Sequence, residues 1–279
     1  MAWRISIALQ ESPPVSSGKS PLLLQAIPPT GWFQHVCASR YINARVVGEL
    51  TAVHTNEHAV LLEPSHDRQP VIEQEIEPII APPPESLWQQ LDNRFTRVAG
   101  ILADTARATI GTASSTSDQV RALVEHAAAR FEYGHVEQRF NDGKQEMPLV
   151  CGTTKGSCVD MHGYVMAMAH AVGIKVQYLA GYWFHPDKSE THDMHCWLVF
   201  LVDGEAVYWD LAHHLKWGVT GLAPGLNPAG GRRVLMSYGR GLTFHTPYGS
   251  VETSHFSEPL WVLPDGSTQK PAIRVSIVD

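Results

Sequence analysis

The sequence predicts an α+β chain: a β-sandwich over residues 1–80, then a mixed helical and stranded part over residues 85–279. Three observations lead there. Six short apolar or alternating segments crowd the first part, separated by turn clusters such as S-P-P, P-P-T-G, T-N-E-H and P-S-H-D. The run Pro82-Pro83-Pro84 then marks a linker. Beyond it, apolar residues recur first at helical spacing and later in unbroken strand-length runs.

The six segments are 3–9, 22–27, 32–38, 44–53, 59–62 and 71–76, a rhythm of short strands and tight turns that suits two packed sheets. Their histidines, His35, His54, His58 and His66, read as surface or turn residues. After the prolines, 85–95 and 97–110 have helical character, and 111–115 interrupts it. Val120, Leu123, Val124, Ala127, Ala128 and Phe131 form one apolar stripe, with Ser117 and Asp118 suited to its start. A core-packing helix is therefore expected, ending at Phe131-Glu132-Tyr133-Gly134, with a loop over 134–156.

From 157 to 172 the residues Met161, Val165, Met168, Ala169 and Val172 repeat at helical spacing, and Gly173 stops the run. Ser157 followed by Asp160 is a capping-box pattern with Asp in place of Glu. Cys158 then falls in the first helical turn, where unpaired N–H groups favour an anion and lower a thiol's pKa. A strand at 174–182 and a polar loop at 183–193 follow. Residues 194–202 (M-H-C-W-L-V-F-L-V) are almost uninterruptedly apolar, a strand buried on both faces with His195 at its start. Gly204 turns the chain into a strand at 206–211, and the hairpin can bring Asp210 opposite the imidazole. The Gly- and Pro-rich stretch 216–233 reads as a lid or binding loop. Strands near 234–238, 242–246, 260–263 and 272–278 complete the sheet or return to the β-rich part.

Composition narrows the function classes. The chain has 279 residues, 44% hydrophobic and 18% charged, which describes a globular protein with a real core. Its net charge of −7 and the lack of a long basic run speak against nucleic acid or an anionic membrane as the main partner. Four cysteines, Cys37, Cys151, Cys158 and Cys196, are too few for a disulfide scaffold. No stretch suits a signal peptide or a membrane span, so cytoplasmic residence is the expectation, and it would keep a thiol reduced.

Thiol, imidazole and carboxylate in this order suit acyl transfer: a cysteine nucleophile, its base, and a group that orients the base. Taken singly, each residue is more often structural; their combination carries the signal. The rival chemistry is a metal site, since His192, His195, His213, His214 and Cys196 cluster in sequence. No H-E-x-x-H or paired C-x-x-C occurs, and His213 and His214 on a strand would face opposite ways, so neither a metal nor another cofactor is expected.

At these residues the chain resembles the transglutaminase-like superfamily. The likeness lies in G-S-C-V-D on a helix, G-I-K-V-Q-Y-L-A-G-Y on the next strand, H-C-W and W-D-L. Residues 3–80 resemble the β-rich N-terminal module of bacterial transglutaminase-like cysteine peptidases. Residues 238–249 resemble their G-R-D-Y-x-D-x-x-P-x-x-G tail, although Gly241-Leu242 and Phe244-His245 replace the usual acidic and aromatic residues. The resemblance implies a papain-like catalytic core with Cys158 as nucleophile, His195 as general base and then acid, and Asp210 as orienting carboxylate. It implies a peptide, amide or acyl-thioester substrate and a thioester intermediate resolved by water. Transamidation, cyclisation in a biosynthetic pathway, and an inactive binding scaffold are the alternatives. For the oxyanion, Gln145 is a candidate donor beside the Cys158 N–H, against the plainer reading of a solvated loop side chain.

Overall fold

Alternation places Ile5, Ile7 and Leu9 on one face of the first strand, β1 (Trp3–Leu9), and all three are buried. The computed structural model describes residues 2–13, 19–65, 67–219, 221–226 and 228–278, so the expectation for His66 lies outside the described residues. His35, His54 and His58 are exposed. Strands β2 (Leu22–Ile27), β3 (Gln34–Ile42), β4 (Ala44–Thr51), β5 (His58–Pro64) and β6 (Val71–Pro78) follow, each near an expected segment.

Past the prolines, the expected helix over 85–95 is only a 3-10 turn at Glu85–Trp88; no side chain caps it and Gln89 is already extended. Helix α1 covers Gly100–Ile110 and α2 covers Thr116–Ala128, the latter capped by Ser115, whose hydroxyl accepts the Asp118 N–H at 3.1 Å. The stripe Val120, Leu123, Val124 and Ala127 is buried, as its periodicity predicts. Phe131-Glu132-Tyr133 departs from expectation. It leaves the helix to form β7 (Phe131–Tyr133), parallel to β8 (Thr154–Gly156), with Tyr133 opposite Gly156. Helix α3 (Cys158–Ala171) is buried from Cys158 through Ala169, not along one stripe. Small residues allow this close packing: a Cβ on Gly163 would stand 2.5 Å from the Arg240 guanidinium that occupies its place.

Next come β9 (Val176–Phe184), β10 (Glu190–Thr191), β11 (Met194–Val202), β12 (Glu205–Trp209), helix α4 (Leu211–Lys216) and β13 (Arg232–Tyr238). The expected strand through 211 stops at Trp209, because Asp210 turns its carboxylate to the His213 N–H (3.1 Å) and starts α4. His213 and His214 therefore sit on a helix, not a strand. Strands β12, β11, β9 and β13 form an antiparallel sheet in that order. The α3 side of this sheet supplies Tyr178, Ala180, Cys196, Leu198 and Phe200 to the main core.

Strands β14 (Leu242–Thr246), β15 (Gly249–Thr253), β16 (Leu260–Val262), β17 (Thr268–Gln269) and β18 (Ile273–Val278) end the chain. Of the two expectations for this region, the last strands return to the β-rich part. One five-stranded sheet runs β10-β18-β1-β6-β3 and the other β17-β16-β2-β5-β4, over a shared apolar core. Those sheets thus draw on residues 190–191 and on strands beyond residue 260 as well as on residues 1–80. Two of their side chains reach across to β13. The Gln34 amide bonds both backbone groups of Leu235 (2.7 and 3.0 Å), and Glu57 Oε2 accepts the Tyr238 N–H (3.1 Å). Backbone groups on an otherwise open sheet edge are satisfied in this way.

Candidate active site

The loop-to-helix turn at Gly156-Ser157 sets the position of Cys158. Asp160 Oδ2 accepts from the Ser157 backbone N–H and hydroxyl, both at 2.8 Å, which completes the expected capping box and fixes the first turn of α3. Cys158 is the first residue of that helix and is 6% exposed, at the edge of a cleft. Its thiol is held well below the usual range. A hydrogen bond from Cys196 contributes most; burial opposes it, and the His195 bond and charge add to it.

His195 is the second residue of the apolar strand β11, opposite Gly181 of β9. Its Nε2 lies 2.9 Å from Asp210 Oδ2, which leaves Nδ1 as the ring nitrogen for the thiol. Burial would lower the imidazole's pKa, but the Asp210 charge and bond, with the Cys158 bond, raise it. Asp210 is fully buried and its carboxyl is held well below the usual range: burial opposes this, but the His195 and Arg233 charges and the His195 and His213 bonds outweigh it.

Two further residues complete the site, Arg233, which the sequence did not single out, and His213, which it offered only as a metal-ligand candidate. Arg233, expected at the end of a loop, is buried, donates to Asp210 Oδ2, and lies 5.0 Å over the Trp197 ring. His213 stacks on His195 with ring centroids 3.9 Å apart, and burial drops its pKa to about 4, so it is a neutral neighbour. The only early sign of Arg233 was the R-R pair at the start of an apolar run.

The cleft in front of the thiol has a volume of about 310 Å³. Trp183, Trp217 and His185 form an aromatic wall, while Tyr133 and Lys216 face it. The 183–193 loop lines the opening, as its place between the two strands suggested. Gln145 is exposed and does not line this cleft, which matches the solvated reading. Tyr133 does line it. Burial first, then the Cys158 and Asp193 charges, push its phenol to about 12, so it stays protonated.

Among the described residues, one group could offer three close metal ligands: His195, Asp210 and His213, with ligand atoms within 4.8 Å of one another. Arg233 argues against a cation there, since its guanidinium contacts Asp210 Oδ2 and lies 3.2 Å from His213 Nδ1. Of the other residues once considered for a metal, His214 Nδ1 bonds the Asp210 carbonyl at 2.8 Å, His192 is exposed at the cleft mouth, and Cys196 faces α3.

Residues 103–210 match the family model of the transglutaminase-like superfamily. Among solved structures, a candidate cysteine protease from Cytophaga hutchinsonii aligns over 100% of this chain and 91% of its own, at 12% identity and a TM-score of 0.56. The periplasmic domain of TgpA from Pseudomonas aeruginosa aligns over 80% of this chain and 92% of its own, at 12% identity and a TM-score of 0.39. No curated protein matches the chain at a significant level.

Proposed function

We propose, from a chain whose residues 103–210 are a transglutaminase-like domain, a cysteine-dependent acyl-transfer enzyme that hydrolyses a peptide or amide bond. Cys158 is the nucleophile, His195 the base and then acid, and Asp210 the orienting carboxylate. The observation that carries this reading is the 2.9 Å bond from His195 Nε2 to a fully buried Asp210. It frees Nδ1 for a thiol at the mouth of a helix and at the edge of an open cleft.

The lowered Cys158 pKa and the raised His195 pKa both favour the thiolate–imidazolium form of the pair. The thiolate attacks the acyl carbon, and the new oxyanion takes N–H groups of the first turn of α3, that of Cys158 foremost. The protonated Tyr133 phenol in the same cleft is a further available donor. His195 gives its proton to the leaving amine, and the C–N bond breaks to leave a thioester. It then takes a proton from water, whose oxygen attacks the thioester and releases acid and thiolate. Arg233 shares the Asp210 carboxylate, which limits how far that charge can raise the imidazole. Water is the chosen acceptor because it needs no second binding site.

The test is intact-protein mass spectrometry with a panel of peptides and thioesters, comparing the natural chain with Cys158→Ala. The reading expects an acyl adduct on the natural chain alone, and product acid in preference to amine-transfer product when a primary amine is added. No adduct from any panel member, with Cys158 alkylated no faster than the exposed Cys37 and Cys151, would leave a binding scaffold instead.

A further inference from the structure

We propose that His213 is a positioning residue for the base: a neutral ring, locked by Arg233, that lies flat against His195 and keeps its Nδ1 aimed at the thiol. The role rests on reading Cys158 and His195 as nucleophile and base.

The His195 ring needs more than its bond to Asp210. The second side-chain torsion of a histidine has a broad, roughly two-fold well, so it does not fix the ring plane by itself. The 2.9 Å bond at Nε2 holds one point of the ring, and rotation about that bond still lets Nδ1 swing. A second contact is required to stop it. His213 supplies one: the two ring centroids are 3.9 Å apart and the planes within 10° of parallel, a separation at which carbon atoms touch.

Such a plate works only if it is itself fixed, and His213 is buried and held from three directions. Its backbone N–H donates to Asp210 Oδ1 at 3.1 Å in the first turn of α4. Arg233 Nη2 reaches its Nδ1 at 3.2 Å and also donates to Asp210 Oδ2. Trp183, paired with Arg233 in the β9–β13 register, packs on the ring edge-on at a centroid distance of 4.4 Å.

The Arg233 contact also assigns the ring proton. A guanidinium has no lone pair to offer, so Nδ1 is the acceptor and the proton sits on Nε2. Nη2 thus stands between two acceptors, Nδ1 and Asp210 Oδ2, which are 3.0 Å apart. A second proton could go only to the lone pair that Arg233 occupies, so His213 stays neutral beside the charged form of His195. Burial, which drops the His213 pKa to about 4, acts in the same direction. A phenyl ring would give the same plate without the lone pair, and an amide the lone pair without the plate, so substitution separates the two contributions.

The experiment follows p-nitrophenyl acetate hydrolysis by the full chain in stopped flow. The Cys158 thiolate attacks the acetyl carbon, and p-nitrophenolate leaves in a burst that needs no acid. In the slow phase His195 takes a proton from water, whose oxygen attacks the thioester and releases acetate and thiolate. His213→Ala is expected to retard the slow phase about ten- to a hundredfold, the scale of a base misplaced by about 1 Å. Iodoacetamide alkylation of Cys158 at about pH 10, above an ordinary thiol pKa of about 8.5, should stay within about twofold. His213→Phe is expected to recover most of the loss, and His213→Asn to stay within about threefold of His213→Ala. Thermal melts confirm each fold, and His213→Asn carries the comparison if His213→Ala unfolds. A slow phase within about twofold of the natural rate without the ring, an equal fall in alkylation, or recovery by Asn and not by Phe overturns the proposal. A burst that is missing from the natural chain or survives Cys158→Ala, or a slow phase that survives His195→Ala, overturns the reading of the triad instead.

Discussion

Replacing Gly181 tests whether the sheet, and not only the three side chains of the proposed triad, sets the geometry of the site. Gly181 pairs with His195 on one side and Leu235 on the other. A Cβ there would fall 1.8 Å from the Val234 carbonyl oxygen and 3.1 Å from Leu235 Cα, both backbone atoms that cannot swing aside. Restoring a contact of about 3 Å requires β13 to retreat by roughly 1.2 Å in a close-packed interior. Arg233 immediately precedes Val234, so the guanidinium would withdraw from Asp210 with it. Overpacking of this kind costs about 1–3 kcal/mol, or roughly 2–5 °C in melting temperature for a chain of this size. Misplacing a catalytic constellation by about 1 Å costs on the order of a hundredfold in rate. Gly181→Ala is therefore expected to melt lower and to lose most of its turnover and of its fast Cys158 alkylation at pH 7. Gly48→Ala is the matched control, since nothing lies within 4 Å of a Cβ there, and its effect should stay below about 0.5 kcal/mol. A Gly181→Ala protein that melts within about 1 °C of the natural chain, with alkylation within twofold, would refute the reasoning.

The pH profile should have two limbs. The depressed Cys158 pKa makes activity appear as pH rises through it, and the raised His195 pKa makes activity disappear as pH climbs past it, whereas alkylation should show only the first limb; a single limb at the pH of an ordinary thiol would contradict the pairing. Glu57→Gln should stabilise the protein at pH 8 by on the order of 1 kcal/mol. Burial raises the Glu57 pKa well above its usual value, against the bond from Tyr238, so the stability it contributes is full below the unfolded pKa and is lost as pH rises through the folded one. Urea denaturation at pH 5 and pH 8 checks this, and equal losses in both proteins would count against it. Trp217, 45% exposed on the cleft wall, should act in binding: Trp217→Ala should raise KM for a bulky substrate about three- to tenfold with kcat nearly unchanged, and a fall in kcat alone would point elsewhere.

The parts of this architecture that follow local rules were legible in the sequence. The capping box at Ser157 and Asp160, the stripe on α2 and the apolar run of β11 each express a periodicity or cap that needs no tertiary information. What escaped depended on partners far along the chain. Phe131-Glu132-Tyr133 continues a helical pattern, yet becomes a strand because Thr154–Gly156 offers it a parallel partner. Asp210 was expected at a strand end, but its carboxylate caps α4 through the His213 N–H and so carries two histidines onto a helix. Arg233 was marked only by the R-R pair. A charged residue after G-G-R reads as solvated until the sheet closes and places Asp210 and Trp197 against it.

Residues 273–278 pair with β1, while residues 260–262 pair with β2, and β3 of the first of these sheets supplies the Gln34 clamp on Leu235. The proposed triad and Arg233 thus lie in sequence between the strands before residue 80 and those beyond residue 260 that these sheets bring together. Separation of the chain at the proline run would take the strands beyond residue 260 from their hydrogen-bonding neighbours β1 and β2. Both sheets are therefore complete only when the strands before the proline run and those beyond residue 260 are present together.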